Sequence, residues 1–479
     1  MPGIRTGKIL IYEFIFACVM KRLFVLLFLV VYLCNDGMAQ SMQPLKISQN
    51  RRFFQTADGK PFFWLGDTGW LLFIKCSREE VLQYLDARQQ QGFNVVQVMV
   101  LHTLEAKNVY GAKALRDGDI SRPLTTPGTA FNDQAAYDFW DHVDFVVKEA
   151  EKRGIYMALV PVWGSAAKDK KVTAPKAAVF AEFLAERYKS NTNIIWLNGG
   201  DIEGDAKMDV WEAIGTTIKK YDNAHLMTYH PRGRYSSTDW FHNRKWLDFN
   251  MFQSGHRSYA QDTSMKEKHR HGEDNWKFVV TDYNMKPAKP VLDGEPSYEN
   301  IPYGLHDSLQ PRWTAAEVRR YGYWSVFAGG AGFTYGENAI MQFNKMGDAD
   351  ANFGVFNNWK QTINAPGALQ MKYLKDLMLS YSYFDRKPAQ EIIADNIQRR
   401  YNYIIATKGP AYALAYTYTG RTFKVNTAKL GFKLSSAHWY SPVDGSTQSI
   451  SLKSKTGIVS FDPPGQPKNG NDWVLILNK

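Results

Sequence analysis

From Lys60 onward the chain alternates short apolar runs with longer amphipathic ones. The apolar runs are "PFFWLGDTGW", "FNVVQVMVL", "IYMALVPVW", "NIIWLNGGD", "LMTYHP", "DFNMFQSGH", "KPVLDGEPSYE" and "AGFTYGE". Each is short, rich in β-branched and aromatic residues, and bounded by turn formers, as a buried strand should be. "SREEVLQYLDARQQQG" reads as a helix with Ser77 as N-cap, Glu80 closing a capping box and Gly92 as the stop. "YDFWDHVDFVVKEAEKRG" is a second helix, ending at Gly154. Further helices are expected at 175–190, 210–221 and 275–284, in "TAAEVRRYGYWSVFAGG" and at 366–381, with a short helical stretch after "LMTYHP". Eight strand–helix pairs in series argue for parallel strands covered by helices, and eight such units close most simply into a (β/α)8 barrel. The competing open sheet would carry a glycine-rich phosphate loop after its first strand, which "LGDTGW" is not.

After Asp385 the texture changes. Short alternating runs such as "YNYIIATKG", "AYALAYTYTG", "FKLSSAHWYSP" and "DWVLILNK" are separated by Gly, Pro, Asn and Asp. Residues 386–479 therefore read as a small antiparallel β-sandwich, with Tyr412, Tyr416, Trp439 and Trp473 in its core. The link "SYFDRKPAQE" has one Pro and no Gly, which predicts a fixed interface with a barrel spanning 40–385.

The first 39 residues read as an over-long start followed by a secretory signal. Lys21 and Arg22 follow Met20, then comes an apolar run, then Gly37-Met38-Ala39. That run is too short for a spanning helix, so the mature chain is expected to be periplasmic or extracellular and not transmembrane. Lipid anchoring through Cys34 is disfavoured by Leu33, where a small residue is needed. Cleavage after Ala39 leaves Cys76 alone, with no partner for a disulfide, and lowers the net charge from +11 to +9. The basic residues are scattered and no nucleic-acid module is visible, so the charge points to an anionic partner of another kind or to simple solvation. A monomer is expected.

Parallel barrels place their chemistry at the C-terminal strand ends. In chain order those ends supply Asp67 and Trp70, His102, Trp163, Asn198 and Asp201, His230, Gln253 and His256, Glu295, and Tyr335 and Glu337. Aromatic faces with polar edges suit a sugar, whose C–H faces pack on rings while its hydroxyls need partners. Strands four and seven face each other across an eight-stranded barrel. Asp201 and Glu295 could therefore flank a glycosidic bond, one protonating the leaving oxygen while the other attacks or activates water. The alternative is that either acid caps a following helix. Glu203 and Asp205 are expected to be solvated or bonded to loop amides. His102, His230 and His256 show no ligand spacing, so they are assigned to substrate rather than to a metal, and no cofactor is expected. Trp64, Trp140, Trp196 and Trp324 are expected in the core, and Cys76 as a structural thiol.

The segments "FFWLGDTGW", "WLNGGD", "HPRG", "PVLDGEPSYE" and "FDPP…NGNDWVLIL" resemble the apiosidase-type glycoside hydrolases, family 140, over about residues 45–479. The resemblance implies a retaining hydrolase with Asp201 as acid/base and Glu295 as nucleophile. It further implies action on the β-linked apiose of rhamnogalacturonan II, an anionic plant pectin. It also implies a C-terminal domain named for collagen binding. That domain shows no run of exposed aromatics to form a binding platform, which predicts a support rather than a collagen binder. A non-catalytic carbohydrate- or collagen-binding protein on the same scaffold is the alternative, disfavoured because both carboxylates are kept at strand ends. The long loops after strands two and six are expected to set specificity.

Overall fold

The computed structural model describes residues 42–263, 270–397 and 399–479. The signal-like stretch, Cys18, Cys34 and His269 lie outside the described residues. Pro44–Lys479 forms one compact unit.

All eight expected barrel strands form: β1 (Trp64–Thr68), β2 (Val95–Leu101), β3 (Tyr156–Val162), β4 (Ile194–Ile202), β5 (Met227–Pro231), β6 (Asn250–Gln253), β7 (Val291–Asp293) and β8 (Gly332–Tyr335). They pair in parallel in the order β5-β4-β3-β2-β1-β8-β7-β6, and the short strand Tyr235–Ser236 adds antiparallel to β6. The ring is completed between β5 and β6 by side-chain and loop bonds instead of a ladder. Thr228 Oγ1 donates to Phe249 O at 2.5 Å, and Asp248 N donates to Met227 O at 2.7 Å. Every residue of β2 and β3 is buried, which is why these strands are apolar throughout rather than alternating.

The outer layer holds α1 (Arg78–Gln90), α2 (Phe139–Lys152), α3 (Ala174–Tyr188), α4 (Met208–Tyr221), α5 (Asn275–Tyr283), α6 (Ala315–Phe327) and α7 (Pro366–Leu379). Ser77 and Glu80 form the expected capping box on α1, and Gly92 and Gly154 take positive φ just past α1 and α2. Between β5 and β6 the short helical stretch is a single 3-10 turn, Ser237–Asp239. "RGRYSSTDWFHNRKW" has no 3.6-residue apolar stripe to bury, so no covering helix forms there. Trp64, Trp140, Trp196 and Trp324 are fully buried, and burial pushes the Cys76 thiol up.

The C-terminal region packs a six-stranded antiparallel sheet against the pair Phe423–Asn426 and Ile458–Phe461. In the strand Tyr412–Thr417 successive side chains point to opposite faces. Ala413 and Ala415 enter the sandwich core with Trp439 and Leu475, whereas Tyr412 and Tyr416 face the barrel side. That corrects the sequence reading of both tyrosines as sandwich core. Tyr416 stacks on Tyr323 of α6 at 4.8 Å and 11°. Arg319 of α6 forms a two-pronged pair with buried Asp472, at 2.9 and 2.6 Å. Trp276 of α5 stacks on Tyr403 at 4.2 Å. Two aromatic stacks, that of Tyr416 on Tyr323 buried, and a buried, doubly bonded ion pair make a fixed joint rather than a tether.

Candidate active site

The end of β4 is bent by three consecutive residues with positive φ: Gly199 (86°), Gly200 (119°) and Asp201 (48°). The pairing of β4 with β5 shifts register between Gly199 and Ile202, a bulge. Side chains could not replace the glycines. A Cβ on Gly200 would lie 2.4 Å from the Trp163 ring, and one on Gly199 would lie 2.5 Å from the Tyr229 ring. A Cβ on Gly164, next to Trp163, would lie 2.3 Å from Gly200 O. The ends of β3 and β4 therefore interlock, and the kink turns Asp201 into the mouth of the barrel. Asp201 caps no helix.

Opposite it, Glu295 follows β7. His256 Nε2 bonds Glu295 Oε1 at 3.0 Å. His230 Nε2 stands 3.2 Å from Glu295 Oε2, an ion-pair distance without hydrogen-bond alignment. The backbone holds the same point, with Gly255 N donating to Glu295 O and Gln97 Nε2 to Gly294 O. Burial opposes the Glu295 charge, but His230 and His256 outweigh it and hold the carboxyl down to about 2. Asp201 shifts the other way. It opens to solvent through the cavity, yet its depth among the strand ends, and then the charge on Glu295, push it up to about 6. Two neighbouring carboxyls are thus set apart, one held ionised and the other able to carry a proton near neutrality.

Two adjoining cavities meet at Asp201. The first, of about 280 Å³, contains both carboxyls and is walled by Trp70, His102, Trp163, Gln253, His256 and Tyr298. Trp70, Trp163 and His230 form one ring cluster with centroids 5.0–5.7 Å apart. The Nδ1 atoms of His102 and His256 and Oε1 of Gln253 are buried without a partner. Buried polar atoms left unpaired in a cavity wall are ready to bond ligand hydroxyls. The second cavity, of about 360 Å³, shares Asp201, Gln253 and His256 but not Glu295. Its wall is basic, with Lys168, Arg232, Arg234 and Arg257 against Glu203 and Asp201. Arg234 is paired with buried Asp262, and Arg232 with Glu203 at 2.9 Å.

The family model described as "Apiosidase-like, catalytic domain" matches residues 48–385. The chain belongs to this apiosidase-like family. A second model, "Putative collagen-binding domain of a collagenase", matches residues 387–478. A solved structure titled "Glycoside hydrolase" is 44% identical, covers 91% of this chain and 97% of its own, and superposes with a TM-score of 0.85. A glycoside hydrolase family 5 structure from Bacteroides vulgatus is 42% identical over 91% of this chain and 93% of its own, with a TM-score of 0.84. A search of the curated proteins finds no match. The apiosidase-like chain is a glycoside hydrolase, and its substrate is a carbohydrate.

Within this hydrolase, seven of the twelve sequence-selected positions wall the first cavity: Trp70, His102, Trp163, Asp201, Gln253, His256 and Glu295. His230 is fully buried and stands beside Glu295 without lining either cavity. The other four line neither cavity, which corrects their assignment to substrate. Asp67 is fully buried and accepts from Tyr84 OH at 2.5 Å and Arg88 Nε at 2.6 Å. Asn198 donates to Trp211 O, and Tyr335 OH to Glu299. Glu337 caps the turn Asn338–Met341 by accepting from Ala339 N and Ile340 N, and burial raises it to about 7. Tyr298 was missed, although it sits in "DGEPSYE". It accepts from Trp70 Nε1 at 3.1 Å, and its own pKa is raised by burial and then by the Glu295 charge. The loop after β8 was missed as well: Met341, Gln342, Asp350, Asn352 and Phe353 overhang the first cavity. By contrast, the long loop after β2 gives neither cavity a residue beyond His102.

Proposed function

We propose that this hydrolase is a retaining glycosidase that removes a sugar from an acidic glycan, and that its target is the β-apiosyl linkage of rhamnogalacturonan II. The observation that carries the mechanism is the opposed setting of the two carboxyls, with Glu295 held between His230 and His256 and Asp201 carried into the same cavity by the β4 kink. Ionised Glu295 attacks the anomeric carbon. Protonated Asp201 gives its proton to the departing glycosidic oxygen, leaving a glycosyl ester on Glu295. Asp201, now a carboxylate, takes a proton from water as that water displaces Glu295, and both groups return to their starting states.

The substrate reading rests on the family and on the second cavity. The acid that protonates the leaving oxygen must face the leaving group. The basic cavity contains Asp201 without Glu295, so it receives the leaving part of the glycan, while the smaller aromatic cavity takes the sugar that is transferred. Guanidinium groups along that path suit the carboxylates of a pectin. Export through the signal-like segment would bring the enzyme to such a polymer.

The test uses rhamnogalacturonan II oligosaccharides and an aryl β-apioside. Glu295→Gln keeps the shape of the side chain but cannot attack, and it should abolish turnover of both while the melting temperature stays near wild type. Asp201→Asn should lose the natural glycan but keep the first step on the aryl glycoside, whose leaving group needs little protonation. Near wild-type turnover in Glu295→Gln would remove it as nucleophile. Hydrolysis of other glycans but no apioside would keep the mechanism and replace the substrate.

A further inference from the structure

We propose that Tyr401 of the C-terminal domain is a positioning residue for the active site, holding the β6 loop that carries His256 against Glu295. This rests on the catalytic reading of Glu295 above. The route is continuous. Tyr401 OH donates to Glu273, at 2.9 Å to Oε2 and 3.2 Å to Oε1. Glu273 is fully buried on the barrel side, and its Oε1 accepts from the backbone N of Tyr259 at 2.6 Å. Tyr259 lies three residues beyond His256, in the loop that leaves β6. The Tyr401 ring also meets the Tyr259 ring edge-on at 5.5 Å, and Arg400 sits over the Tyr259 ring at 4.9 Å.

The neighbouring residue presses on the same loop. A Cβ on Gly272 would lie 2.2 Å from Ser254 O, so the segment carrying Glu273 packs directly against the start of the His256 loop. Gly272 N donates to Asp262 Oδ2 at 2.8 Å, tying a second point of the loop to the same segment. Glu273 is anchored in turn by Arg320 of α6 at 2.5 Å. The Arg320 guanidinium is enclosed by Trp324 from the barrel and by Tyr401 and Tyr418 from the C-terminal domain. Buried charge of this kind is costly to leave loose, so every contact that fixes Glu273 also fixes the loop. The accessory domain thereby acts on the catalytic pair without reaching it.

Tyr401→Phe in the full chain removes one hydroxyl and keeps the ring. Loss of the Glu273 contact should let His256 drift from Glu295, and because His256 helps to hold Glu295 ionised, the Glu295 pKa should rise. The other groups facing Glu295 are Asp201, His230 and Tyr298, and they are unchanged in the variant. Two readouts follow. The first is independent of any substrate: the His256 ring nitrogens, followed by NMR in histidine-labelled protein, should report the Glu295 titration at higher pH than in wild type. The second is the aryl β-apioside, on which kcat should fall about tenfold, more than KM changes, with the acidic limb displaced upward. Tyr418→Phe keeps the ring over Arg320 and beside Tyr401 and removes a hydroxyl that does not bond Glu273, so it should leave both readouts unchanged. An unmoved Glu295 titration in Tyr401→Phe, with or without a lower melting temperature, overturns the proposal. If wild type does not cleave the apioside, the substrate reading falls while the NMR readout still decides this one.

Discussion

Asp201 and Glu295 differ in company as well as in exposure, Asp201 opening to solvent where Glu295 is buried. Glu295 has an imidazole nitrogen within 3.2 Å of each oxygen, while Asp201 has Glu295 itself as its strongest charged neighbour. The sign of the pH dependence follows. In the proposed mechanism Glu295 must be ionised, and its pKa is lowered to about 2, so activity falls on the acid side only as pH drops toward that value. Asp201 must be protonated, and its pKa is raised to about 6, so activity on a glycan with a poor leaving group falls as pH climbs through about 6. The expected profile of kcat/KM is a bell displaced to acid pH. On an aryl glycoside with a good leaving group the basic limb should flatten, since the first step no longer needs the Asp201 proton. A basic limb that stays in Asp201→Asn would assign it to another group.

At the scale of elements, the bulge at the end of β4 decides where Asp201 points. Gly200→Ala would force a side chain into the Trp163 ring at a φ of 119°, at a cost of about 1–3 kcal/mol for the backbone alone. It should reduce kcat strongly with a smaller loss of melting temperature, which parallel kinetics and thermal melts would separate. Equal losses in both would make the glycine a folding requirement only. The strands themselves were legible, because a buried parallel strand is an apolar run and these eight are bounded by polar ends. Their ends gave addresses, not directions. Asp67 and Tyr335 occupy strand ends as Gln253 does, but their side chains turn toward neighbouring helices and loops, where Arg88 and Glu299 meet them. That choice depends on packing between distant segments, which no local pattern records. The overhang from the β8 loop was illegible for the same reason, since nothing in "NAIMQFNKMGDADANFG" marks it as folding back over the mouth.

At the largest scale, Pro44–Lys479 is a barrel with a sheet clamped to α5 and α6. Asp472→Ala would leave Arg319 buried with Gln370 but without its counter-charge, and breaking a buried pair in this way costs about 3–5 kcal/mol. Deleting 386–479 would remove that partner together with the Tyr401 and Tyr418 rings beside Arg320, so the trimmed barrel should melt earlier or become less soluble. Calorimetry and solubility of the two barrels, with a collagen- and pectin-binding assay on the isolated domain, check this. An unchanged barrel beside a domain that binds collagen would overturn the support role. The strand Trp473–Asn478 adds a further consequence. It runs through the middle of the accessory sheet, paired with Tyr412–Thr417 on one side and Ser436–Tyr440 on the other. On the ribosome it emerges after both of its neighbours, so the sheet cannot close, and Asp472 cannot reach Arg319, until the barrel has long been made. The enzyme is therefore built in one temporal order. A nascent barrel waits with its joint open, and a chain cut only a few residues before Trp473 would lose both the ion pair at Arg319 and the strand that joins the two halves of the sheet.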